Sequence, residues 1–426
     1  MTHYFCARYA RLVRFLLANN HCISDRTAGV TQSLRTILKW LADAGHACQV
    51  LTTARFEAPV RFTIEEHLKQ FSVETPNDRR GERRADQPVV HYTADGIRVT
   101  LLMTRCNDEQ QPDRAETKQY EGLMRQLLEE FAPDQLIACN AHPMIQTAMA
   151  ESRNRGITTA FAVRGYGYYE PRFFEHVDHA FTCSEFLTDV YRRKVGLVST
   201  PLEPPIDWSS VVAPEESRAF VTFVHPAPHK GLYAFARLAD MLGSRRPDIP
   251  ILVVQSGQSG GSLNAIRGLD FSKYPQIMAA PATETPAAYF ALTRILLVPS
   301  VWEEPFGRVA AESMINGIPP LVSNRGSLPH VVGGDFSNGG GGRVLPLPDW
   351  LTTKSTQLPS ERDIEPWFEA VCALWDDEVL YEAMAVRARE IAQARYSEEV
   401  SRKLHVDYFT SLRPGGRPIT NSAPTG

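Results

Sequence analysis

Two glutamates, Glu304 and Glu312, have the residue type and spacing from which the chemistry of this chain is best inferred. They lie in VPSVWEEPFGRVAAESMINGIPP (residues 298–320), where a short apolar strand leads through a loop to a helix that starts near Gly307 and stops at Gly317. A helix N-terminus offers unpaired N–H groups and the positive end of a dipole to a phosphate. Glutamates before and within such a helix can hold hydroxyls on both sides of a diphosphate, as in a nucleotide sugar. Two exposed glutamates on a solvated helix would show the same spacing.

The neighbouring motifs favour the first interpretation. The E-x7-E spacing, the EPFG loop, the NGIP turn and the SNRGSLP loop occur together and in order. This set resembles the retaining glycosyltransferases of the family 4 type, over roughly residues 14–412. The resemblance implies the GT-B fold, in which two Rossmann-like α/β domains face each other across a cleft and the C-terminal helix crosses back to the first domain. It also implies that Glu304 contacts the donor sugar and that Glu312 binds the ribose hydroxyls.

The same resemblance implies backbone contacts to the donor. N–H groups near Phe306 and Gly307 would face the sugar, and those at the helix start would face the phosphate. The other positions of this predicted donor site are Ser300, Arg308, Val309 and Gly326.

The turn VHPAPHKGL predicts a second phosphate contact. It connects a strand at 220–224 to a helix, and Lys230 stands at the helix start, where the dipole disfavours a cation. This mismatch favours a functional lysine. In the resembling enzymes this lysine binds the donor diphosphate with the help of an arginine five residues earlier, where this chain has His225. His330 likewise replaces a usual acid, which affects the expected sugar or base preference.

The loop before the first helix predicts a contact to the donor phosphate or to the acceptor, and Gly29 is counted among the predicted donor-binding residues. Gly29 precedes that helix, and glycine lets a backbone approach a ligand closely. The resembling enzymes have two glycines here and this chain keeps the second. Alone, the A-G-V sequence would also suit an ordinary helix entry. Asp25 and Arg26 lie in the same loop and are predicted to contact the acceptor.

Three further candidates follow strands of the N-terminal half. His142 follows a strand, where doubly wound folds bind ligands, and is either a catalytic contact or a helix cap. Arg164 stands where the resembling enzymes often have a histidine, and is predicted to meet a phosphate or a sugar hydroxyl. Tyr166 is predicted to contact the acceptor. It and the neighbouring Tyr168 and Tyr169 would either stack on a sugar ring or pack in the core.

Apolar runs and turn residues predict an α/β chain throughout. The predicted strands are 13–18, 49–52, 99–103, 135–139, 158–163, 180–183, 220–224, 251–255, 295–299 and 320–323. Helices are predicted between them and from residue 363 to 412. Residues 57–90 are expected to form a helix and an irregular excursion, and GGGGR at 339–343 a flexible loop.

Four segments are predicted from this pattern. Residues 1–204 form an acceptor-side domain, 205–395 a donor-side domain and 396–412 the returning helix, while 413–426 form a disordered tail. The proline-rich stretch 199–208 is expected to link the domains without giving either of them a strand.

The composition of the chain limits which binding partners and which cell compartment we expect. The net charge of −4 gives no general attraction to nucleic acid, and no apolar run reaches the length of a membrane span. Seven scattered cysteines without a C-x-x-C motif predict free thiols in a reducing cytoplasm and argue against zinc. The basic cluster at 78–84 is either a solvated loop or a contact to an acidic acceptor or a membrane surface.

The resulting hypothesis is a cytoplasmic, metal-independent retaining glycosyltransferase. It would move a sugar from a nucleoside diphosphate to an unknown acceptor hydroxyl, without a cofactor. A UDP-sugar is the expected donor, with GDP-, ADP- and TDP-sugars as alternatives. The chain has no D-x-D motif to hold a metal on the diphosphate. The other candidate functions are a GT-B nucleotide-sugar epimerase or phosphorylase, and an inactive nucleotide-sugar binding protein.

Overall fold

The computed structural model describes residues 12–25, 28–57, 60, 62–74, 89–104, 112–215, 218–255, 266, 268–283 and 285–419. They form two compact units. The first comprises residues up to 182, residues 188–202 and those from 402 onward, and the second comprises 183–187 and 203–401. Apart from residues 183–187, the chain enters the second unit after Leu202 and returns at Arg402, whereas the sequence placed these boundaries after residue 204 and at residue 396.

The first unit contains a nine-stranded sheet in the order β3-β4-β5-β2-β1-β6-β7-β8-β9. Strand β4 runs antiparallel to β3 and β5, and the other neighbours pair in parallel. The strands are β1 Arg14–Ala18, β2 Ala47–Thr53, β3 Ser72–Glu74, β4 Val89–Ala94, β5 Ile97–Leu102, β6 Gln135–Cys139, β7 Thr158–Val163, β8 His179–Thr182 and β9 Ser199–Pro201. The helices up to this point are α1 Gly29–Asp43, α2 Ile64–Leu68, α3 Arg114–Glu130, α4 Pro143–Asn154 and α5 Glu185–Val195.

Apolar patterning explains these elements. The central strands β1 and β6 read RFLLA and QLIAC, nearly continuous apolar runs that suit parallel strands covered on both faces. Helix α1 buries Leu34, Ile37, Leu38 and Leu41, which recur at the spacing of one helical face. The sheet therefore has helices packed on it, and its strand ends are left to carry polar loops.

The second unit contains a six-stranded sheet whose strands all pair in parallel, in the order β12-β11-β10-β13-β14-β15. The order reverses between β10 and β13, so the switch point where such folds bind ligands lies there. The remaining elements are α6 Trp208–Val211, β10 Phe220–Val224, α7 Leu232–Arg245, β11 Ile251–Val254, β12 Ile277–Ala280, α8 Pro286–Phe290, β13 Thr293–Val298, α9 Arg308–Ile315, β14 Pro320–Ser323, α10 Leu328–Val331, β15 Arg343–Leu345, α11 Glu361–Asp376, α12 Glu378–Tyr396 and α13 Glu398–Ser411.

The end of α13 belongs to the first unit, which confirms the predicted return of the C-terminal helix. Phe409 is fully buried and packs edge-on against Phe15 and Phe181 of that unit's sheet. Its carbonyl oxygen also accepts a hydrogen bond from Gln135 Nε2 at 2.7 Å. The helix is therefore held by both apolar burial and a buried polar contact.

Two predictions about connecting segments are wrong. The proline-rich stretch after residue 198 contributes β9, which pairs in parallel with β8 at the edge of the sheet, where proline is tolerated. Residues of the predicted disordered tail make defined contacts, since the Val198 N–H donates to Pro418 O and Arg153 Nη2 donates to Gly416 O. The rest of the tail and the basic cluster at 78–84 lie outside the described residues.

Five strands were not predicted: β3, β4, β9, β12 and β15. Strands β4 and β5 form a hairpin through Asp95 and Gly96, with φ values of 53° and 75°. Positive φ at both residues is typical of the two-residue turn that Asp-Gly favours, so this sequence signal was available. Residues 57–90 were expected to be a helix and an excursion, and their described part contains α2 and β3.

The glycine run at 339–343 is not the flexible loop that the sequence predicted. Gly340, Gly341 and Gly342 are buried, and Arg343 begins β15. A Cβ atom added to Gly340 would lie 1.8 Å from Gly334 O, and one on Gly341 would lie 2.9 Å from Ala388 Cα. These glycines are needed because neighbouring backbone packs directly on them.

Within the described residues, no helix is both long and apolar enough to span a bilayer. None of the described cysteines (Cys22, Cys48, Cys139, Cys183 and Cys372) forms a disulfide.

We expect Gly340→Ala and Gly122→Ala to change stability in opposite directions. Gly340→Ala should destabilise the protein by about 1–3 kcal/mol, because its methyl group meets backbone that cannot move away. Gly122 lies within α3 and an added Cβ meets nothing within 4 Å, so alanine should stabilise by about 0.5–1 kcal/mol. Thermal unfolding midpoints of both variants and wild type test this, and a shift in the same direction for both would contradict it.

Candidate functional site

Glu304 is buried in the loop between β13 and α9, with 5% of its surface exposed. Its Oε1 atom accepts two hydrogen bonds, from Ser300 Oγ at 2.6 Å and from Lys230 Nζ at 2.7 Å. Both bonds fall on one carboxylate oxygen, and no residue of the described part of the chain bonds to Oε2, which can accept from a ligand hydroxyl. The interpretation of Glu304 as a solvated surface residue is therefore excluded.

Lys230 reaches Glu304 because the loops after the adjacent strands β10 and β13 meet. Lys230 ends a short 3₁₀ turn, and Gly231 follows with φ of 88°. A Cβ atom on Gly231 would lie 1.8 Å from Pro299 O, so only glycine lets the two loops approach. The Val301 N–H also donates to His229 O at 3.1 Å. This junction lies at the switch point of the second sheet.

Glu312 is buried within α9, with 4% of its surface exposed. Arg308, one turn earlier, donates from Nε to Glu312 Oε1 at 2.6 Å. Burial raises the pKa of the Glu312 carboxyl, and the Arg308 guanidinium opposes that rise. The ion pair therefore favours the charged form that ribose hydroxyls would meet.

The N-terminus of α9 is the part of the site made by backbone. Gly307 is the N-cap with φ of 95°, and no side chain caps the helix there. Phe306 is buried and packs edge-on against Tyr396 at 6.0 Å, so its side chain belongs to the core. Arg308 and Val309 are half-buried and supply the first helical N–H groups.

Gly326 holds the backbone of Glu304 in place. A Cβ atom at Gly326 would lie 2.3 Å from the Glu304 nitrogen, and the Ser327 N–H donates to Glu304 O at 2.9 Å. The Gly326 N–H donates to the Glu303 carboxylate. The residue predicted to bind the donor thus also positions the glutamate that would do so.

His225 has a left-handed backbone, with φ of 63°, at the end of β10. Burial lowers its pKa, and the charges of Lys230 and His229 lower it further. The His225 and His229 rings lie 5.8 Å apart, and His229 packs edge-on against Trp302 at 5.7 Å. The ammonium group of Lys230 also lies 5.7 Å from the centre of the Trp302 ring. The sequence analysis did not name His229 or Trp302 as site residues, although both lie inside motifs on which it relied.

His330 lies among charged groups of the same unit. Its ring nitrogens are 3.8 Å from Glu185 and 3.7 Å from Glu203, and its carbonyl oxygen accepts from Arg395 Nη1 at 2.6 Å.

The other predicted residues belong to the first unit. Arg164 donates from Nη1 to Leu202 O at 3.4 Å and lies 5.1 Å from the centre of the Phe181 ring. Tyr166 is half-buried. Tyr168 packs against Phe161 and Phe173, which favours the core interpretation for it. Tyr169 packs against Tyr191 but is 39% exposed, so it is not a core residue.

Asp25 lies in the loop between β1 and α1, and that loop leads to Gly29. Asp25 is fully buried and its Oδ2 accepts the Glu57 N–H at 2.8 Å, which is a structural contact. Gly29 begins α1, and a Cβ atom there would meet nothing within 4 Å. Space next to Gly29 is compatible with a ligand and does not require one. Arg26 lies outside the described residues.

His142 caps α4 by accepting the Met144 N–H on Nδ1 at 3.3 Å. The cap leaves the other ring nitrogen available for a ligand. The structure also places His21 and Arg55 in this region, and Arg55 Nη1 lies 2.7 Å from His21 Nε2. We refer to His21, Arg55 and His142 as the histidine–arginine cluster. Sequence analysis missed His21 and Arg55 because no motif connects them.

The protein has the GT-B fold, which it shares with solved structures that cover 94% of the chain. Residues 213–340 match the family described as glycosyl transferases group 1. This segment contains all the predicted donor-site residues of the second unit, from His225 to Gly326.

Individual relatives are distant. An uncharacterized 41.2 kDa protein of the cps region of Klebsiella pneumoniae is 35% identical over 82 residues, which cover 19% of this chain and 21% of that protein. A glycosyltransferase from Rickettsia africae superposes with a TM-score of 0.64 at 12% identity, covering 94% of this chain and 98% of that one. Sucrose-phosphate synthase from Thermosynechococcus elongatus superposes with a TM-score of 0.64 at 15% identity, covering 94% of this chain and 100% of that one. HepE from Anabaena, solved with UDP and glucose, gives 0.61 at 14% identity, also covering 94% and 100%.

We expect Arg308→Leu to destabilise the protein more at pH 7 than at pH 4. Without the guanidinium, the pKa of Glu312 should rise further above its unfolded value. An acid with a raised folded pKa contributes stability below its unfolded pKa and loses it as pH increases through the folded pKa. The loss at pH 7 should be about 1–3 kcal/mol.

Thermal unfolding at both pH values measures this effect. The double variant Arg308→Leu/Glu312→Gln should show little pH dependence relative to wild type. An equal loss at pH 4 and pH 7 in the single variant would show that Arg308 acts only by packing.

Proposed function

We propose that this protein is a retaining glycosyltransferase of the family 4 type, which transfers a sugar from a nucleoside diphosphate to an acceptor hydroxyl. The observation that carries the proposal is the pairing of two buried carboxylates with two cations around the N-terminus of α9. The pairs Lys230–Glu304 and Arg308–Glu312 have hydrogen bonds of 2.7 and 2.6 Å. They lie in the segment that matches the glycosyl transferases group 1 family.

Each part of a nucleotide sugar has a matching group in the second unit. Glu312 would accept the ribose hydroxyls, and the first N–H groups of α9 would face the phosphates. Lys230 would turn from Glu304 to the diphosphate, which frees Glu304 for the hydroxyls of the sugar. Donor binding would therefore need no new charged side chain, because Lys230 and Glu304, which pair with each other in the free protein, would pair with the donor instead.

The chemical step is leaving-group stabilisation. Negative charge that develops on the departing diphosphate would be stabilised by Lys230, the α9 N-terminus and His225. No side chain stands out as a nucleophile, so the acceptor would attack on the face that the phosphate leaves, with a phosphate oxygen taking its proton. This route gives retention at the anomeric carbon.

We propose that catalysis needs no metal, because these protein cations can fill the role of one and the sequence has no D-x-D motif. A UDP-sugar is the proposed donor, which the complex of HepE with UDP-glucose supports. GDP-, ADP- and TDP-sugars are the alternatives. We place the enzyme in the cytoplasm, on the basis of its unpatterned cysteines.

The two glutamates should differ in their kinetic effects. Glu312→Ala should weaken nucleoside diphosphate binding by about 10- to 150-fold, because each charge-assisted hydrogen bond to ribose contributes about 1.5–3 kcal/mol. Glu304→Ala should mainly reduce turnover, since its contacts lie nearer the reacting carbon. The base is first identified by a thermal-shift screen with UDP, GDP, ADP and TDP.

Calorimetry then measures binding, and hydrolysis of the sugar donor in the presence of EDTA measures turnover. Glu304→Gln is the isosteric control and should retain binding without hydrolysis. Equal losses of nucleotide affinity in both alanine variants would contradict the assigned roles. Absence of nucleotide-sugar turnover in wild type, with nucleotide binding intact, would favour the binding-protein alternative.

Donor affinity should increase as pH falls from about 8 to 6. The pKa of His225 is lowered in the free protein by burial and by Lys230 and His229, and a bound diphosphate would raise it. The complex would then hold the proton more tightly than the free protein, so acid favours binding. His225→Arg should keep the affinity and lose most of the pH dependence.

UDP-glucose is the suitable probe, because its diphosphate has no terminal phosphate that titrates in this range. Its dissociation constant is measured at several pH values for wild type, His225→Arg and His225→Asn. His225→Asn should bind more weakly at pH 6. If its pH profile matched that of wild type, His225 would have no place in the donor site.

A further inference from the structure

We propose that the histidine–arginine cluster of the first unit binds an anionic group, a carboxylate or a phosphate. This group would be carried by the acceptor, and that identification of the ligand rests on the function proposed above. The three side chains, His21, Arg55 and His142, come from the loops that follow three neighbouring strands.

The cluster lies at the switch point of the first sheet. Strand β1 is flanked by β2 and β6, and the sheet order reverses between β1 and β6. His21 follows β1, Arg55 follows β2 and His142 follows β6, so all three stand at the carboxyl ends of these strands. Ligands of open α/β sheets bind at this position.

Hydrogen bonds fix the three loops to one another. Asn140 Nδ2 donates to Asn20 Oδ1 at 2.7 Å, which joins the loops after β6 and β1. Thr53 Oγ1 donates to Asn20 O at 2.6 Å, and the Cys22 N–H donates to Arg55 O at 2.6 Å. The cluster is therefore held in place before any ligand arrives, which lowers the entropic cost of binding.

Both histidines present a donor, because each uses its other nitrogen as an acceptor. A guanidinium can only donate, so His21 Nε2 accepts from Arg55 and a neutral His21 carries its proton on Nδ1. His142 Nδ1 accepts from the Met144 N–H, so its proton is on Nε2. Together with the guanidinium, these groups favour a ligand that accepts hydrogen bonds.

The local charge also favours an anion. Arg55 is buried, with 8% of its surface exposed. Burial lowers the pKa of His21 to about 4 with Arg55 as the second cause, and burial and then Arg55 lower the pKa of His142. The carboxylate of Asp25 acts on His21 in the opposite direction, but less strongly than Arg55. A carboxylate or phosphate would accept hydrogen bonds from these donors, and a guanidinium is well suited to bind either group.

Calorimetric titration of the full chain with glucose 6-phosphate, glucuronate and glucose tests the site. At least one charged sugar should bind at least about tenfold more tightly than glucose, and Arg55→Gln should remove this gain. Arg55→Lys keeps the positive charge and should keep part of the gain in affinity. The two charged sugars distinguish a phosphate from a carboxylate as the preferred group.

His142→Asn provides a second test that does not depend on Arg55. Asparagine can still cap α4, but it lacks a donor at the Nε2 position, so the charged sugar should bind several-fold more weakly at an unchanged unfolding midpoint. Equal affinity of wild type for all three sugars would overturn the site. The site would also be overturned if Arg55→Gln still bound the charged sugar more tightly than glucose. The same holds if Lys230→Gln, and not Arg55→Gln, lost this preference.

UDP binding, measured on the same variants, separates this inference from the proposed function. Arg55→Gln should bind UDP as wild type does, which also shows that the variant is folded. A wild type that binds no UDP, yet prefers a charged sugar through Arg55, would remove the proposed donor and keep this site.

Discussion

The hydrogen bond between Lys230 and the buried carboxylate of Glu304 is the constraint on which the rest of the second unit depends. A buried charge costs several kcal/mol unless it is paired, so Glu304 needs Lys230 and Ser300 beside it. The loops after β10 and β13 must then lie in direct contact. Gly231 allows this contact on one side of Glu304, and Gly326 allows it on the other. The need for glycine at Gly231 and at Gly326 therefore arises from one ion pair, Lys230–Glu304.

The proposed donor site is close to neutral in the absence of a ligand. Lys230 neutralises Glu304, and Arg308 neutralises Glu312. A nucleotide sugar brings phosphates for the cations and hydroxyls for the carboxylates, so it can replace both ion pairs without leaving a charge unpaired. The cluster in the first unit has a different character, because it combines a buried guanidinium with neutral histidine donors. The same topological position in two similar sheets therefore carries two different chemistries.

Much of the fold could be predicted from local sequence. The apolar runs gave the positions of most parallel strands, because strands buried on both faces must be apolar along their length. Strand β4 was missed although the Asp95-Gly96 turn marks it, and β9 was missed because prolines were taken to exclude a strand. The run from Gly339 to Gly342 was interpreted as flexible, since nothing local shows that the backbone of Gly334 and Ala388 packs against it.

The sequence by itself determined the motif around α9 and the lysine before α7, because a helix start and the spacing of two glutamates are local properties. Only the tertiary structure decided what each group meets. Lys230 and Glu304 are 74 residues apart, and His21 and Arg55 are 34 apart, so their contacts depend on which strands become neighbours. Burial was decided in the same way: Glu304 and Glu312 look like surface residues in the sequence and are nearly inaccessible in the fold. Long-range strand pairing, which no local pattern specifies, is the physical reason for this division.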